Sequence, residues 1–197
     1  LKSDSSVVTW GDPDYGGDSS EVSAHLQSGV DKIYSNEAVF AALKSDGSVV
    51  TWGDSYYGGD SSSVSAHLQS GVDKIYSTTA AFSALKLDGS VVTWGDSYYG
   101  GGSSSVSAHL QSGVDKIYST LTAFAALKSD GSVVTWGDSY SGGGSSSVSA
   151  HLQSGVDKIY ATYSGFAALK LDSSVVTWGN NGGNSSSVSG DLEEGVD

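Results

Sequence analysis

The sequence predicts an all-β repeat protein, a five-bladed propeller-like ring of 42-residue units, with an open β-solenoid as the alternative. Five tryptophans recur at one interval of 42 residues, and nearly all their neighbours recur with them: Trp10, Trp52, Trp94, Trp136 and Trp178. A period of about 40 residues is typical of propellers and solenoids, in which each unit covers its neighbour's apolar face. Glycine accounts for 27 of the 197 residues, as expected for many short strands joined by turns.

Each unit is predicted to contain three strands and a short helical turn, as residues 74–115 illustrate. Residues 74–77 and 81–86 form the first two predicted strands, and Asp88-Gly89 indicates the tight turn that leads into the third strand, 91–94. A loop rich in Gly and Ser follows. Segment 105–113 predicts a short helical turn, since serine can cap its start and glycine can end it; an outer strand is the alternative.

The whole chain, residues 1–197, is predicted to form a single repeat domain, because the copies follow one another without an unlike linker. One partial unit precedes four further units, with these bounds: 1–31, 32–73, 74–115, 116–157 and 158–197. The partial unit lacks two of the three strands. Since unpaired strand edges invite pairing, the sequence predicts that this incomplete unit favours association with another copy of the chain.

The formal net charge is −13, from 22 acidic and 9 basic residues, and every basic residue is a lysine. This composition argues against nucleic-acid binding, which uses clustered Lys and Arg to replace phosphate counterions. There is no cysteine, and the aspartates lack the ligand spacing of a calcium loop, so we expect no metal and no cofactor. No stretch is long and apolar enough to predict a membrane span.

The recurring aromatic residues are predicted to form a core between the units. A tryptophan at a strand end has a large apolar area, which packing between neighbouring units would bury. The predicted core residues are the tryptophans together with the phenylalanine of each second strand: Trp10, Trp52, Trp94, Trp136, Trp178, Phe40, Phe82, Phe124 and Phe166.

The loop that follows each tryptophan is the candidate ligand-binding site. A tyrosine ring offers an apolar face to a sugar, an aspartate accepts hydroxyl hydrogens, and repetition would make weak sites multivalent. The alternative is a solvated turn whose tyrosines pack against the next unit. The candidates are Asp54, Tyr56, Tyr57, Asp96, Tyr98, Tyr99, Asp138 and Tyr140. No catalytic residue is predicted, because no Ser-His-Asp or paired-carboxylate arrangement stands apart from the copies.

The segment 84–95 resembles the repeat of the regulator-of-chromosome-condensation family. In that repeat an apolar strand ending in Ala-Leu leads through Asp-Gly to a strand ending in Trp-Gly and a Gly-rich loop. The resemblance recurs in every unit and implies the blades of a β-propeller; the chain looks more like the version found in large bacterial surface and secreted proteins. Residues 77–79 replace the family's Gly-His pair, and 98–101 replace its Gly-Gln-Leu-Gly loop. The nucleotide-exchange role of the eukaryotic namesake is not implied, because no segment matches its partner-contacting insertion and the acidic charge opposes chromatin binding.

These observations predict a non-enzymatic structural or binding scaffold, located outside the cell or at its surface. Its expected partner is a protein or a glycan. Two alternatives stay open at this point. One is a multivalent, lectin-like carbohydrate binder that uses the Tyr-Asp loops. The other is a self-assembling subunit that forms a homo-oligomer by pairing through the open edge strands of its incomplete terminal unit.

Overall fold

Four three-stranded antiparallel sheets, one from each repeat, form the framework of the molecule. The computed structural model describes residues 1–180. The strands are β1 (Val30–Ser35), β2 (Val39–Lys44), β3 (Val49–Gly53), β4 (Val72–Ser77), β5 (Ala81–Lys86), β6 (Val91–Gly95), β7 (Val114–Ser119), β8 (Ala123–Lys128), β9 (Val133–Gly137), β10 (Val156–Ala161), β11 (Gly165–Lys170) and β12 (Val175–Gly179). In every sheet the spatial order follows the chain. The all-β repeat prediction is confirmed. The predicted fifth blade includes residues 181–197, which lie outside the described residues.

Short 3₁₀ helices connect the sheets, which confirms the helical turns expected from the sequence. Their bounds are Pro13–Tyr15, Ser20–Leu26, Ser62–His67, Ser104–Leu110, Ser139–Ser141 and Ser146–Leu152. The leucine at the end of each longer helical segment is buried and packs into the core. This leucine explains why the segment is helical rather than an outer strand, since one turn brings a single apolar residue inward and leaves the serines in water.

The first strand of each sheet begins two residues before the lysine at which the sequence placed it. Val72 is buried, and its N–H donates to the carbonyl oxygen of Gly47 at 3.0 Å. A register shift between Val72 and Lys74 marks a β-bulge. The bulge lets the valine stay in the core while the following Asp73 and Lys74 are exposed.

The middle strand of a sheet is buried on both faces, because successive sheets pack face to face. In β5, Ala81 and Leu85 contact the cluster of the following sheet, whereas Phe82 and Ala84 contact the cluster of the preceding one. Alternating side chains of a strand point to opposite faces, so one strand serves two interfaces. The small residues at alternate positions allow the sheets to approach closely.

The first strands of successive sheets contact one another, β1 with β4, β4 with β7 and β7 with β10. The hydroxyl of Ser77 donates to the carbonyl oxygen of Ser35 across this contact, at 2.9 Å. The first strands therefore lie innermost in the arrangement, and the third strands lie outside. No helix among residues 1–180 is long and apolar enough to cross a membrane.

Residues 1–31 reproduce the outer part of a unit. The N–H of Val7 donates to Leu26 and that of Val30 donates to Ser5, which repeats the hydrogen bonds of Val49 and Val72 in the next unit. No strand is present in residues 1–29. This segment thus supplies a turn, an extended stretch and a 3₁₀ helix that pack on the sheet β1–β3.

Ser83 allows a direct test of the packing in the middle strands. Its side chain is fully buried, and its hydroxyl has no hydrogen-bond partner among residues 1–180. The equivalent residue in the other units is Ala41, Ala125 or Ala167. Because a buried hydroxyl without a partner costs about 1–3 kcal/mol, we expect Ser83→Ala to raise the free energy of unfolding by about that amount in urea denaturation. The reverse change, Ala125→Ser, should lower it; a destabilised Ser83→Ala protein would contradict this account of the interface.

The Asp turns between second and third strands predict a loss of stability in acid. In the turn at Asp88, the carboxylate accepts the hydroxyl of Ser90 at 2.6 Å and its N–H at 2.9 Å, and these bonds lower the pKa of Asp88. At Asp4 the same bonds lower the pKa to about 2. A carboxyl whose pKa is lower in the folded protein stabilises it above the unfolded pKa, and this stability is lost as the pH falls through the folded pKa.

We therefore expect the midpoint of urea unfolding to fall as the pH is lowered from about 5 to about 2. Asp88→Asn should make this decrease smaller, because one of the titrating carboxyls is removed. Asp73→Asn, at an exposed aspartate outside these turns, is the control. An unchanged midpoint across this range would contradict the role of the turns.

A candidate binding face at one end of the sheets

One end of the sheets gathers two kinds of connection. The axial turns, 36–38, 78–80, 120–122 and 162–164, join the first and second strands. The tryptophan loops, 53–60, 95–102 and 137–144, follow the third strands. The two are bonded together, since the N–H of Asp96 donates to Ala80 and that of Asp138 donates to Thr122, both at 2.9 Å. We call this end the turn face.

The tryptophan of each complete sheet lies under the loop of the preceding unit. Trp94 stacks on Phe82 with 5.3 Å between ring centroids, and its indole N–H donates to the carbonyl oxygen of Gly58 at 3.2 Å. Trp52, Trp136 and Trp178 make the same bond 36 residues back along the chain. These four tryptophans are buried, as are Phe82, Phe124 and Phe166, while Phe40 is half-buried. The indole bond and the stack together fix each sheet against the next.

Trp10 departs from the predicted core, because 83% of its surface is exposed. Within the described residues no strand pairs with the stretch that contains Trp10, and no tryptophan loop of a preceding unit covers it. Burial of this tryptophan therefore depends on two neighbours that the other four copies have. The sequence interval alone did not distinguish them.

The predicted ligand aspartates are hydrogen-bonded within the protein. Asp54 and Asp96 each accept the N–H of the residue two positions later, at 2.7 Å, so they close their own loops. The carboxylate of Asp96 also lies near the hydroxyl of Tyr56 and raises the pKa of that tyrosine. Since Tyr56 belongs to the preceding unit, this interaction acts between two units on the turn face.

Asp138 has the most hydrogen bonds of the three. Its carboxylate accepts the Ser141 hydroxyl at 2.9 Å, the Tyr140 N–H at 3.1 Å and the Thr122 hydroxyl at 3.3 Å. The same carboxylate raises the pKa of Tyr98 in the preceding unit. Burial alone would raise the pKa of Asp138, but these bonds outweigh it and hold the pKa below its usual range. The Asp138 side chain therefore stabilises the structure of the turn face.

The tyrosines of the loops divide into two groups. Tyr57 and Tyr99 are half-buried and pack into the cores of the following interfaces. Tyr56, Tyr98 and Tyr140 are exposed, and the first two stand edge-on to their neighbouring rings. The candidate residues thus lie on one face, where the exposed rings repeat from unit to unit beside carboxylates that are already bonded.

The axial turns form a continuous row through their backbones. The N–H of Thr79 donates to Leu121 at 2.8 Å, and the N–H of Leu121 donates to Tyr163 at 3.1 Å. The N–H of Glu37 donates to Thr79 at 3.4 Å. The four central turn residues therefore lie side by side in the order 37, 79, 121 and 163.

The residue before each of these positions holds the turn in place. The Asn36 amide donates to the carbonyl oxygen of Tyr57, and the hydroxyls of Thr78 and Thr120 make the equivalent bonds to Tyr99 and Ser141. The tryptophan loops thus support the axial turns from behind. Sequence reasoning did not select these turns as a site.

The axial turns could have been recognised in the sequence, because their central residue differs from unit to unit. At the central turn position the four units carry Glu37, Thr79, Leu121 and Tyr163. No other position of the sheets and their turns differs in all four copies. A shallow cavity of about 420 Å³ lies over the row and is lined by these four residues and their neighbours.

Neither histidines nor carboxylates cluster into a metal site within residues 1–180. The four histidines are exposed on the 3₁₀ segments, one per unit. The carbonyl oxygen of His67 accepts the ammonium of Lys86 at 3.0 Å, and His109 and Lys128 form the same contact.

Solved structures share this arrangement of sheets. No family model matches the sequence, and no curated protein does. Prp20p from Saccharomyces cerevisiae, studied for its binding to Gsp1p and histones, matches with a TM-score of 0.54 at 18% identity, over 77% of this chain and 44% of that chain. Yeast RCC1 (Prp20) bound to Kap60 matches with a TM-score of 0.52 at 14% identity, over 76% and 43%.

The fold is an RCC1-like β-propeller. The match to these structures confirms the propeller blades that the sequence resemblance implied. This chain spans less than half the length of the yeast chain in either structure. At these identities the likeness extends to the fold alone.

Proposed function

We propose that this chain is a non-enzymatic binding scaffold for a protein partner, and that the partner binds at the axial turns. The observation that carries the proposal is the row at 37, 79, 121 and 163, where four adjoining turns on near-identical units bear four different side chains. Most residues that pack between sheets recur in each copy, such as the tryptophan and the phenylalanine of every complete sheet. A position that changes in every copy while the turn around it is kept is free to serve recognition.

Two further observations support this role. The polar side chains next to the axial turns are bonded to the framework, so the turns are held in place before any partner arrives, which lowers the entropy cost of binding. The yeast protein of the same fold, Prp20, binds other proteins, namely Gsp1p, histones and Kap60. A surface or secreted setting is part of the proposal and rests on the likeness of these repeats to those of bacterial surface and secreted proteins.

The repeat itself supplies a variant that tests the proposal. In the all-threonine variant, Glu37→Thr, Leu121→Thr and Tyr163→Thr give every unit the residue that Thr79 has in its own turn. The turns should fold as before, because threonine already occupies one of them. The matched control is Leu87→Ser with Leu171→Ser, which removes exposed leucines at the other end of the sheets and installs the residue of the remaining units.

The wild-type chain, the all-threonine variant and the leucine control are immobilised on separate surfaces. Each surface is incubated with the surface and secreted proteins of the source organism. Retained proteins are quantified by mass spectrometry. We expect a protein that the wild type and the leucine control retain equally and that the all-threonine variant retains at least about tenfold less, the loss typical of removing a central anchor. Identical sets on all three surfaces would overturn the proposal.

Sugar binding is the second candidate, and the exposed rings of Tyr56, Tyr98 and Tyr140 favour it. It stays a prediction. A glycan array should then show binding that Tyr56→Ala and Tyr98→Ala weaken and that the all-threonine variant preserves, because the tyrosines lie on the tryptophan loops. Binding of glycans that depends on the axial turns instead would remove this candidate.

Self-assembly is the third candidate, favoured by the exposure of Val8 and Trp10 in the first unit. A second copy could cover these apolar side chains. Light scattering over a range of concentrations tests it, with Trp10→Ser as the variant. A molar mass that is independent of both concentration and substitution would exclude association through this surface.

A further inference from the structure

We infer that the axial turns receive an extended protein segment with one basic and one large apolar side chain, the basic one at Glu37 and the apolar one at Leu121 and Tyr163. This inference rests on the proposed function and specifies the chemistry of its partner. It follows from the order of the four side chains along the row, from their exposure and from the charge of the chain.

The acidic end of the row is Glu37. Its side chain is exposed and forms no ion pair within residues 1–180. The four ion pairs of the described chain all join a lysine to an aspartate one or two residues away. Glu37 is therefore available to a cation from outside, and the net charge of −13 attracts that cation to the molecule.

The apolar end consists of Leu121 and Tyr163 on adjoining turns. Leu121 is 38% exposed and Tyr163 is 75% exposed, although their backbones are bonded to each other at 3.1 Å. The two side chains therefore form a small apolar surface in contact with water. A partially exposed tyrosine beside a leucine suits an aliphatic or aromatic side chain, which would gain apolar contact and leave the hydroxyl solvated.

Thr79 separates the two ends, so the row has a direction. The cavity above it measures about 420 Å³, a volume that accommodates a few side chains rather than a folded domain. An extended segment can place its basic residue at one end and its apolar residue at the other. The reversed segment would put a cation on the apolar pair and leave Glu37 unpaired, so the row discriminates between the two directions.

A random peptide library displayed on phage tests this chemistry. The library is selected on the folded wild-type chain and depleted on the all-threonine variant, so the surviving peptides depend on the row. Selected peptides are then synthesised and their affinities measured with the wild type, Glu37→Gln, Tyr163→Thr and the leucine control of Leu87 and Leu171.

We expect the surviving peptides to share a Lys or Arg and a Leu, Phe, Tyr or Trp in one fixed order. Glu37→Gln should weaken their binding about fivefold at low salt and make it less sensitive to ionic strength, since one exposed charge pair is lost. Tyr163→Thr should weaken it about tenfold at any salt concentration, the effect of removing an aromatic anchor. The leucine control should bind as the wild type does.

The outcomes separate this inference from the proposed function. Peptides that need Leu121 and Tyr163 but contain no shared basic residue, and bind Glu37→Gln normally, overturn the inference and leave the scaffold proposal standing. Peptides enriched in acidic residues would likewise overturn the inference and leave the scaffold proposal standing. A library that yields no peptide dependent on the row contradicts both.

Discussion

Trp94→Ala should lower the free energy of unfolding by about 3–5 kcal/mol, because it empties a large buried volume between two sheets. The substitution removes the stack on Phe82 and the indole bond to Gly58, so the loop of one unit loses its contact with the next. Urea denaturation followed by far-ultraviolet circular dichroism measures the loss. Because repeat arrays can unfold in stages, the whole transition should be compared rather than its midpoint alone.

Trp10→Ala is the matched control, since it changes the same residue at the same position of the unit. Trp10 is exposed, and among residues 1–180 no phenylalanine stacks on it and no carbonyl oxygen accepts its indole N–H. We expect a change within about 0.5 kcal/mol, as for surface substitutions in general. An equal loss for Trp10→Ala and Trp94→Ala would show that the interval of the repeat, rather than burial under a neighbouring loop, determines the contribution of each tryptophan.

The sequence predicted the framework well because the framework is local and repeated. The Asp88-Gly89 turn, the Val-rich third strand and the glycine after the helical segment each indicate one backbone conformation, and the other units repeat these indications, except that Ser5 and Ser173 replace the turn glycine. What the sequence could not show is which neighbour covers which residue. The residues from Val7 to Gly11 are the same as those from Val91 to Gly95, and Trp94 is buried because it has a paired strand that carries Phe82 and a loop of the preceding unit that carries Gly58.

The candidate site was harder to predict for a related reason. Asp54, Asp96 and Asp138 have the chemistry of ligands, yet their oxygens accept hydrogen bonds from their own loops. Asp96 and Asp138 also raise the pKa of a tyrosine in the preceding unit. Contacts between units 42 residues apart cannot be recognised from the sequence alone, because they depend on how the units pack. Sequence reasoning missed the axial turns because it relied on the residues that recur in every unit. The informative position is the one at which the units differ.

Gly101→Ala should prevent the tryptophan loop from closing and cost about 3–4 kcal/mol, near the upper end for a single substitution. A Cβ at this position would overlap the carbonyl group of Gly95 and lie 2.8 Å from the carbonyl oxygen of Asp96. Both are backbone groups, so no side chain can move aside. The strain would displace Gly100, whose carbonyl oxygen accepts the indole N–H of Trp136 at 3.1 Å. The tryptophan fluorescence of the folded variant should be red-shifted relative to the wild type. Its midpoint of urea unfolding should lie at a lower urea concentration.

The next glycine provides the control. Gly102→Asp gives the third unit the residue that Asp60 has at the same position, where the carboxylate accepts the N–H of Ser62 at 2.8 Å. We expect this larger substitution to be neutral within about 0.5 kcal/mol, because the loop already tolerates it in another unit. Both variants add a side chain to one of two adjacent glycines, so their difference isolates the contact with the Gly95 backbone. A Gly101→Ala protein as stable as Gly102→Asp would mean that the loop can open without releasing Trp136.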